Sequence, residues 1–146
     1  MQYALADLTG GVPEEIKLSS VSNKISSFWE KIVKYHEGGY LMGAGTPEHE
    51  MGDRAINDLG IVQGHAYSIL DVKEVDGNKL MRLMNPHGTR GVEWDGDWGD
   101  NSDKWTQRIK NRIHYEDKED GAFWMGVNDF VEQFKNIYIC RQFDKA

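Results

Sequence analysis

The most regular hydrophobic pattern in the chain follows Asn23. Apolar residues recur there at i, i+3, i+4, i+7 and i+8, in the order Ile25, Phe28, Trp29, Ile32 and Val33. This spacing places them on one face of an α-helix. Ser22 or Asn23 is expected to cap the helix, and Gly38-Gly39 is expected to end it. The pattern therefore predicts an amphipathic helix whose apolar face belongs to the core.

Shorter apolar runs predict β-strands further along the chain. Residues 40–44 form one such run, and residues 62–75 and 79–85 form two more around the turn Asp76-Gly77-Asn78. Residues 46–60 are polar and have no periodicity. This long loop is interpreted either as a lid or gate over a cleft or as a plain surface loop.

The remaining sequence predicts a mixture of helices, strands and loops. Residues 1–23 are expected to be an irregular lead-in, and residues 88–104 are expected to be a loop rich in Gly, Asp and Trp. The later patterns predict a helix over 105–115, a strand over 123–125, an amphipathic helix over 127–134 capped by Asn128, and a closing strand over 137–140. Because no linker or internal repeat divides the chain, one domain spanning 1–146 is expected.

Composition and charge narrow the classes of function. A chain of 146 residues with 39% hydrophobic residues is large enough for one core. Its net charge of -7 argues against a nucleic-acid partner and is compatible with a bound cation. The single cysteine, Cys140, cannot form an internal disulfide. With no apolar run of bilayer length and no signal peptide, we expect a cytoplasmic protein without a transmembrane segment.

His65 is the histidine with the most unusual sequence surroundings. It opens an apolar run of strand-forming residues, whereas His36, His49 and His114 occupy positions typical of the surface. Asn85 closes the next apolar run. An imidazole whose second nitrogen is held by a carboxamide is how a cysteine protease orients its base. The pair therefore indicates half of an active site, and a structural histidine satisfied in the core is the alternative.

The predicted hairpin does not bring this pair into register. A hairpin centred on Gly77 places His65 opposite a residue near Thr89 and not opposite Asn85. For the two side chains to meet, the first strand must absorb about four extra residues in bulges or in a wider loop. No cysteine stands upstream of the pair to use the base.

Several motifs, in a consistent order, closely resemble the calpain protease core. They are Gly64-His65-Ala66-Tyr67-Ser68, Asn85-Pro86-x-Gly88, Val92-Glu93-Trp94-x-Gly96-x-Trp98-x-Asp100 and Glu119-Asp120-Gly121-x-Phe123-Trp124-Met125, preceded by Leu5-x-Asp7-Leu8-Thr9-Gly10-Gly11. They match the second, C-terminal, His/Asn-bearing subdomain of that core. The resemblance implies an α+β fold of two small antiparallel β-sheets flanked by helices, as in the C-terminal half of a papain-like cysteine protease. Residues 1–23 would then lead in from the first subdomain.

The resemblance also implies roles for individual residues. His65 corresponds to the catalytic base, Asn85 to its orienting partner and Gly64 to the cleft wall, where a missing side chain lets the substrate backbone approach. The nucleophilic cysteine belongs to the first subdomain, which is absent, and Cys140 resembles an ordinary buried residue of the family. His87 stands where the family usually has a tryptophan that shields the triad from water. It is expected either to shield less and perturb His65, or to be a tolerated ring replacement.

A calcium site is a further implication of the resemblance. Acidic, oxygen-rich loops suit a hard cation. By position, the expected ligands are Glu93, Asp100, Asp120 and the main-chain carbonyl of Lys118. Ala122 stands where the family has another glutamate, so this site is expected to be weak or empty. The acidic run over 95–100 lacks the EF-hand spacing and is not interpreted as a calcium loop.

The leading hypothesis is a folded half of a calcium-regulated, calpain-like cysteine endopeptidase. Such a fragment would be inactive alone and would act on protein substrates after docking with the cysteine-bearing first subdomain. The alternative is a non-proteolytic, calpain-like binding or scaffolding module, which His87 and Ala122 favour. A stand-alone calcium-binding domain is a third hypothesis. The residue at the nucleophile position of the parent chain discriminates between the first two.

Overall fold

The fold combines strands and helices, as the sequence predicts. The computed structural model describes residues 14–21, 23–47, 60–62, 64–85, 94–100, 102–115 and 121–140. The strands in these ranges are β1 (Glu14–Lys17), β2 (Leu41–Gly45), β3 (Ala66–Val75), β4 (Asn78–Met84), β5 (Ala122–Gly126) and β6 (Asn136–Cys140). The α-helices are α1 (Ile25–Glu37), α2 (Gln107–Ile113) and α3 (Val127–Gln133), and a 3-10 helix spans Leu18–Ser20.

The six described strands form one antiparallel sheet in the order β1-β6-β2-β3-β4-β5. The expected α+β class is correct, but the expected division into two small sheets is wrong for this part of the chain. The reason is that β2 pairs with β6 along one edge and with β3 along the other. This central strand joins the closing strand to the β3–β4 hairpin in one continuous hydrogen-bonded sheet.

Alternating side chains divide the core between the two faces of the sheet. On β5, Phe123 and Met125 belong to a large cluster that also contains the buried residues of α1 and α3. Trp124, between them, belongs to a second cluster with Ile109 and Ile113 of α2. Because successive strand residues point to opposite faces, the sheet carries α1 and α3 on one face and α2 on the other.

The helix α1 confirms the strongest hydrophobic pattern in the sequence. It begins at Ile25 and ends at Glu37, and the Gly38 N–H donates to the carbonyl of Lys34. Gly39 follows with φ of 81°, a conformation that favours glycine. The expected cap is wrong, because the N-cap residue is Lys24 and no side chain caps the helix.

Part of the lead-in that was expected to be irregular is regular. Residues 14–17 form β1, which pairs with β6, and residues 18–20 form the 3-10 helix. Residues 1–13 lie outside the described part. The remaining helices and strands lie where the patterns predict them, with shifts of at most four residues at their ends. The N-cap of α3 is Gly126 instead of the expected Asn128.

The β3–β4 hairpin corrects the predicted register. Its turn has two residues, Asp76 and Gly77, with φ of 51° and 81°. A single register shift between Ile69 and Asp71 leaves Leu70 as the one extra residue. The expectation that about four extra residues are needed is therefore wrong. Beyond the shift, the pairing runs to Ser68 and Met84, so continuing it by one residue sets Tyr67 opposite Asn85.

Two further expectations concern residues that the structure describes only in part. Of the proposed lid loop, residues 48–59 lie outside the described ranges, so its role stays a prediction. The described residues of 88–104 contain no helix or strand. None of the helices in the described ranges is long and apolar enough to cross a membrane.

Candidate active site

His65 and Asn85 meet through a side-chain hydrogen bond at one end of the β3–β4 hairpin. The distance between His65 Nε2 and Asn85 Oδ1 is 2.9 Å. His65 precedes Tyr67 by two residues and therefore points to the same face of the sheet. A residue two positions from the directly opposite one is a diagonal neighbour within reach of a long side chain. The diagonal offset, together with one bulge, brings the pair together.

The hydrogen bond determines which ring nitrogen carries the proton. A carboxamide oxygen accepts hydrogen bonds and cannot donate one. In the neutral imidazole, Nε2 is therefore the protonated nitrogen and Nδ1 carries the lone pair. This tautomer leaves Nδ1 as the basic atom of His65.

Asn85 is itself held in place by the neighbouring strand. It is 8% exposed, and its backbone N–H donates to the carbonyl of Gly121 over 3.1 Å. Gly121 has φ of 87° and directly precedes β5. A buried carboxamide with a fixed backbone can hold a ring in one orientation at little additional cost in entropy.

Buried polar side chains concentrate around His65. Among the described residues, those classed as buried and polar are Thr46, Asn85 and Asn136. Thr46 hydrogen-bonds to the backbone of His65, and Asn136 lines a cavity that His65 also lines. Buried polar groups require partners, so their concentration here is typical of a functional site. Sequence reasoning missed Thr46 and Asn136, which lie in no recognisable motif.

A small cavity of about 180 Å³ opens beside the imidazole. Gly64 lies in its wall with φ of 63°, a conformation that favours glycine, and its role toward substrate stays a prediction. On another side of the cavity, Asn136 Nδ2 donates to the carboxylate of Glu15 over 2.7 Å and to the hydroxyl of Tyr138 over 2.9 Å. The cavity is large enough for a small side chain and has polar groups in its wall.

Tyr67 connects the histidine to the hydrophobic core. Its ring lies edge-on to His65 with centroids 5.6 Å apart, and it also contacts Phe123 and Phe134 edge-on. Burial raises the pKa of Tyr67, and the hydrogen bond from the backbone of Val62 offsets only part of that rise. The hydroxyl therefore stays neutral and accepts the Val62 N–H. Sequence reasoning assigned Tyr67 no role of its own.

Of the four expected calcium ligands, Asp100 is the one that lies in the described part of the chain. Asp100 Oδ1 accepts a hydrogen bond from the hydroxyl of Tyr115 over 3.0 Å. Glu93, Lys118 and Asp120 lie outside the described residues, as does His87, the expected shield of the triad. Within the described part of the chain, no three His, Cys, Asp or Glu residues are grouped so that they could hold a metal ion.

Ala122 and Cys140 occupy buried positions in the sheet. Ala122 begins β5 and is 6% exposed. Its side chain is a methyl group, so it offers no oxygen at the position where the resemblance implies a glutamate. Cys140 ends β6, is 0% exposed and is paired with Leu41. This burial is as expected for Cys140, and a thiol buried within a sheet is not accessible to substrate.

A second cavity, of about 580 Å³, lies near the turn of the hairpin, and none of the predicted site residues lines it. Its wall contains Lys79, Lys104, Asp97 and Asp129. Burial, followed by the carboxylate of Asp97, raises the pKa of Asp129. Charges of both signs therefore surround this cavity.

A base whose second ring nitrogen is held by a carboxamide is the arrangement used by cysteine proteases of the papain type. Comparison with known proteins agrees with this class. Residues 1–141 match the model of the calpain family of cysteine proteases. This chain belongs to the calpain family of cysteine proteases.

Curated relatives come from plants and animals. The chain is 44% identical over 146 residues to the calpain-type cysteine protease ADL1 of Oryza sativa subsp. japonica, an alignment covering 97% of this chain and 7% of the relative. It is 42% identical over 150 residues to the calpain-type cysteine protease DEK1 of Arabidopsis thaliana, covering 99% and 7%. It is 37% identical over 147 residues to the calpain-1 catalytic subunit of Rattus norvegicus, covering 94% and 20%. The chain thus spans a small part of each relative's length.

Proposed function

We propose that this chain is the His/Asn-bearing second subdomain of a calpain-type cysteine endopeptidase, completed by a thiol from the cysteine-bearing first subdomain. The observation that carries the proposal is the 2.9 Å hydrogen bond between His65 Nε2 and Asn85 Oδ1. Membership of the calpain family supports it. The buried position of Cys140 supports a nucleophile located outside this chain.

The chemistry follows from the tautomer of His65, with Nε2 protonated and Nδ1 basic. Nδ1 takes the proton from the thiol, and the resulting thiolate attacks the carbonyl carbon of a peptide bond. The imidazolium then donates its Nδ1 proton to the leaving amine, and the C–N bond breaks to give an acyl-enzyme. Water, deprotonated by Nδ1, hydrolyses the thioester and regenerates the thiol. Throughout the cycle Asn85 keeps the ring in plane with the reacting atoms.

Substrate would approach along the wall that contains Gly64. The missing side chain allows an extended peptide backbone to lie close to the imidazole. The adjacent cavity, bounded by Asn136 and Tyr138, would take one substrate side chain. We therefore propose protein substrates and place the incoming peptide across Gly64 and His65.

Calcium regulation forms the less direct part of the proposal. The Tyr115 hydroxyl orients the carboxylate of Asp100, which is a hard oxygen ligand of the kind calcium requires. Glu93, Asp120 and the carbonyl of Lys118 would complete the set. Ala122 removes a carboxylate and up to two ligand oxygens, so we propose weaker binding than in a site with glutamate there.

Labelling by a thiol-directed inhibitor tests the proposed function. This chain alone should not be labelled, and mixing it with the cysteine-bearing subdomain should produce labelling of that subdomain's thiol. His65→Ala should abolish the labelling because the thiol loses its base. His36→Ala is the matched control. This variant also loses an imidazole, but the ring it loses pairs with Asp71 and not with Asn85.

Two outcomes would contradict the proposal. Labelling that persists unchanged in His65→Ala would remove His65 as the base. A properly docked pair of subdomains that is never labelled would favour the alternative, a non-proteolytic binding or scaffolding module that keeps the fold.

A further inference from the structure

One side-chain hydroxyl contacts the backbone of His65 at several points. Thr46 directly follows β2 and is 6% exposed. Its Oγ1 lies 2.8 Å from the backbone nitrogen of His65, 2.8 Å from the carbonyl oxygen of Val62 and 3.1 Å from the carbonyl oxygen of His65. The backbone N–H of Thr46 donates to the same His65 carbonyl over 2.9 Å.

The Thr46 hydroxyl both accepts and donates a hydrogen bond. A threonine hydroxyl has one hydrogen to donate and two lone pairs that accept. It accepts the N–H of His65 and donates its hydrogen to the carbonyl of Val62, the shorter of the two carbonyl contacts. One oxygen atom therefore ties the end of β2 to the segment that leads into His65.

Val62 is held from its other side by Tyr67. The Val62 N–H donates to the hydroxyl of Tyr67 over 3.0 Å, while the ring of Tyr67 meets the ring of His65 edge-on. Gly64 adds a backbone bond, donating its N–H to the carbonyl of Pro47 over 2.7 Å. These contacts fix the chain immediately before the histidine on both sides.

This support has a specific location relative to the sheet. The strand β3 begins at Ala66, so His65 lies just outside the described ladder between β3 and β4. On the side of β2, the contacts with Thr46 continue the pairing of Gly45 with Ala66 and hold the backbone of His65. A small displacement of that backbone would carry the imidazole with it and would move Nε2, at the far side of the ring, relative to Asn85 Oδ1.

We propose that Thr46 is a positioning residue for His65. The hydroxyl of Thr46 fixes the backbone of His65 so that Nε2 reaches Asn85 and Nδ1 faces the thiol. The inference rests on the proposed function for its catalytic consequence, but its geometric consequence concerns this chain alone. The competing interpretation is that Thr46 only packs and stabilises the fold. The two differ in whether the hydroxyl or the bulk of the side chain matters.

The test compares Thr46→Val with Thr46→Ser. Valine keeps the size and branching of threonine but neither accepts the His65 N–H nor donates to Val62, whereas serine keeps the hydroxyl and loses the methyl group. Thr106→Val is the matched control. This variant also loses a structural hydroxyl, because the Thr106 hydroxyl accepts the N–H of Ile109 at the start of α2.

The first measurement is the pair of imidazole nitrogen chemical shifts of His65 in this chain, recorded where the ring is neutral. The unmodified chain should show the tautomer protonated at Nε2. Thr46→Val should move the shifts toward a mixture of tautomers, Thr46→Ser should restore them, and Thr106→Val should leave them unchanged. Tyr67→Phe, which keeps the ring and removes the acceptor for Val62, should move them in the same direction as valine.

The second measurement is inhibitor labelling with the cysteine-bearing subdomain. Thr46→Val should slow labelling by about 10- to 100-fold, the range expected for a displacement of the base by up to an ångström. Thr46→Ser should restore the rate. A purely structural role would lower the unfolding midpoint without this rescue pattern.

The failures of the two proposals are distinguishable. If the unmodified halves are never labelled, the proposed function fails, and the nitrogen shifts still decide the role of Thr46. The inference is overturned if Thr46→Val leaves the His65 shifts unchanged, or if serine perturbs them as much as valine. If Thr46→Val does not fold, Thr46→Ala takes its place, because it differs from Thr46→Ser only by the hydroxyl; equal shifts in these two variants would overturn the inference.

Discussion

The two ends of the β3–β4 hairpin are held by different forces. At the His65 end, polar side chains are buried and paired, with Thr46 and Asn85 both bonded to the histidine. Near the turn, on the other face of the sheet, the structure is held by a hydrophobic cluster. Its buried members are Val75, Leu80, Trp98, Ile109, Ile113 and Trp124.

Aromatic packing dominates the cluster near the turn. Trp105 meets Trp98 edge-on with centroids 5.1 Å apart and lies 4.7 Å from the ring of Tyr115. The indole N–H of Trp105 donates to the carbonyl of Gly99 over 2.9 Å, so the loop before α2 is fastened to the cluster. Large rings contribute stability through the apolar area they bury, whereas hydrogen bonds contribute less stability and fix the orientation of the groups they join.

The difference teaches how stability and geometry are divided in this fold. Net stabilisation by a hydrogen bond is about 1 kcal/mol, while burying a large side chain contributes several times more. The turn end should therefore determine most of the local stability. The His65 end should determine where the imidazole points. Two changes test this division, and a third, at the edge strand β1, has the smallest expected effect.

Truncation of Trp98 should give the largest loss of stability. Trp98→Ala removes a ring that is 7% exposed and should lower the free energy of unfolding by about 3–5 kcal/mol. Urea denaturation measures the loss. Trp98→Phe, which keeps part of the buried area, should lose less. The His65 nitrogen shifts should stay unchanged in the folded state of both variants, and altered shifts would show that the two ends are not independent.

A change at Gly45 should have a smaller effect that depends on Asn136. A Cβ atom added at Gly45 would lie 2.6 Å from Asn136 Oδ1, so Gly45→Ala should cost about 1–3 kcal/mol of unfolding free energy. The cost should shrink when Asn136 is already alanine, which a double-mutant cycle measures. Gly126→Ala is the matched control, because the nearest atom there, Cδ1 of Trp98, is 3.7 Å away. An undiminished cost in the Asn136→Ala background would contradict this explanation.

The smallest effect is expected at the edge of the sheet, where Tyr35 donates to Glu14 of β1 over 2.6 Å. The hydrogen bond to Glu14, with burial second, raises the pKa of Tyr35 to about 12 from its ordinary value of 10.0. The neutral hydroxyl is thus favoured in the folded chain. The resulting stabilisation is present below pH 10 and lost as the pH rises from 10 to about 12.

Glu14 shows the opposite dependence. The hydrogen bond from Tyr35 lowers its pKa below 4.5, so its stabilisation is present above that value and lost as the pH falls. Because the pair is solvent-exposed, the contribution should be no more than about 1 kcal/mol. Urea denaturation across these pH windows should show both losses. Tyr35→Phe should remove the loss at high pH and reduce the loss at low pH, where Lys31 still lowers the pKa of Glu14. A variant with the same pH dependence as the parent chain would contradict the assignment.

Local patterns predicted most of the secondary structure because they record which side of an element is buried. The helix α1 follows from five apolar residues at helical spacing, and the hairpin follows from two apolar runs around Asp76-Gly77. Histidine and asparagine at the ends of apolar runs, together with the family motifs, singled out His65 and Asn85. Their contact did not follow, because a single bulged residue, Leu70, sets the register and nothing in the sequence marks it.

By itself the sequence determined the family, the helical and extended elements and the identity of the His–Asn pair, since these depend on residue type and local spacing. The tertiary structure alone decided that the described strands join in one sheet and that β1 belongs to it. It also decided that Thr46 reaches His65 across 19 positions of the chain. Such contacts depend on how separate elements pair and pack, and hydrogen bonds between residues far apart in sequence leave no periodic pattern for a reader of the sequence to find.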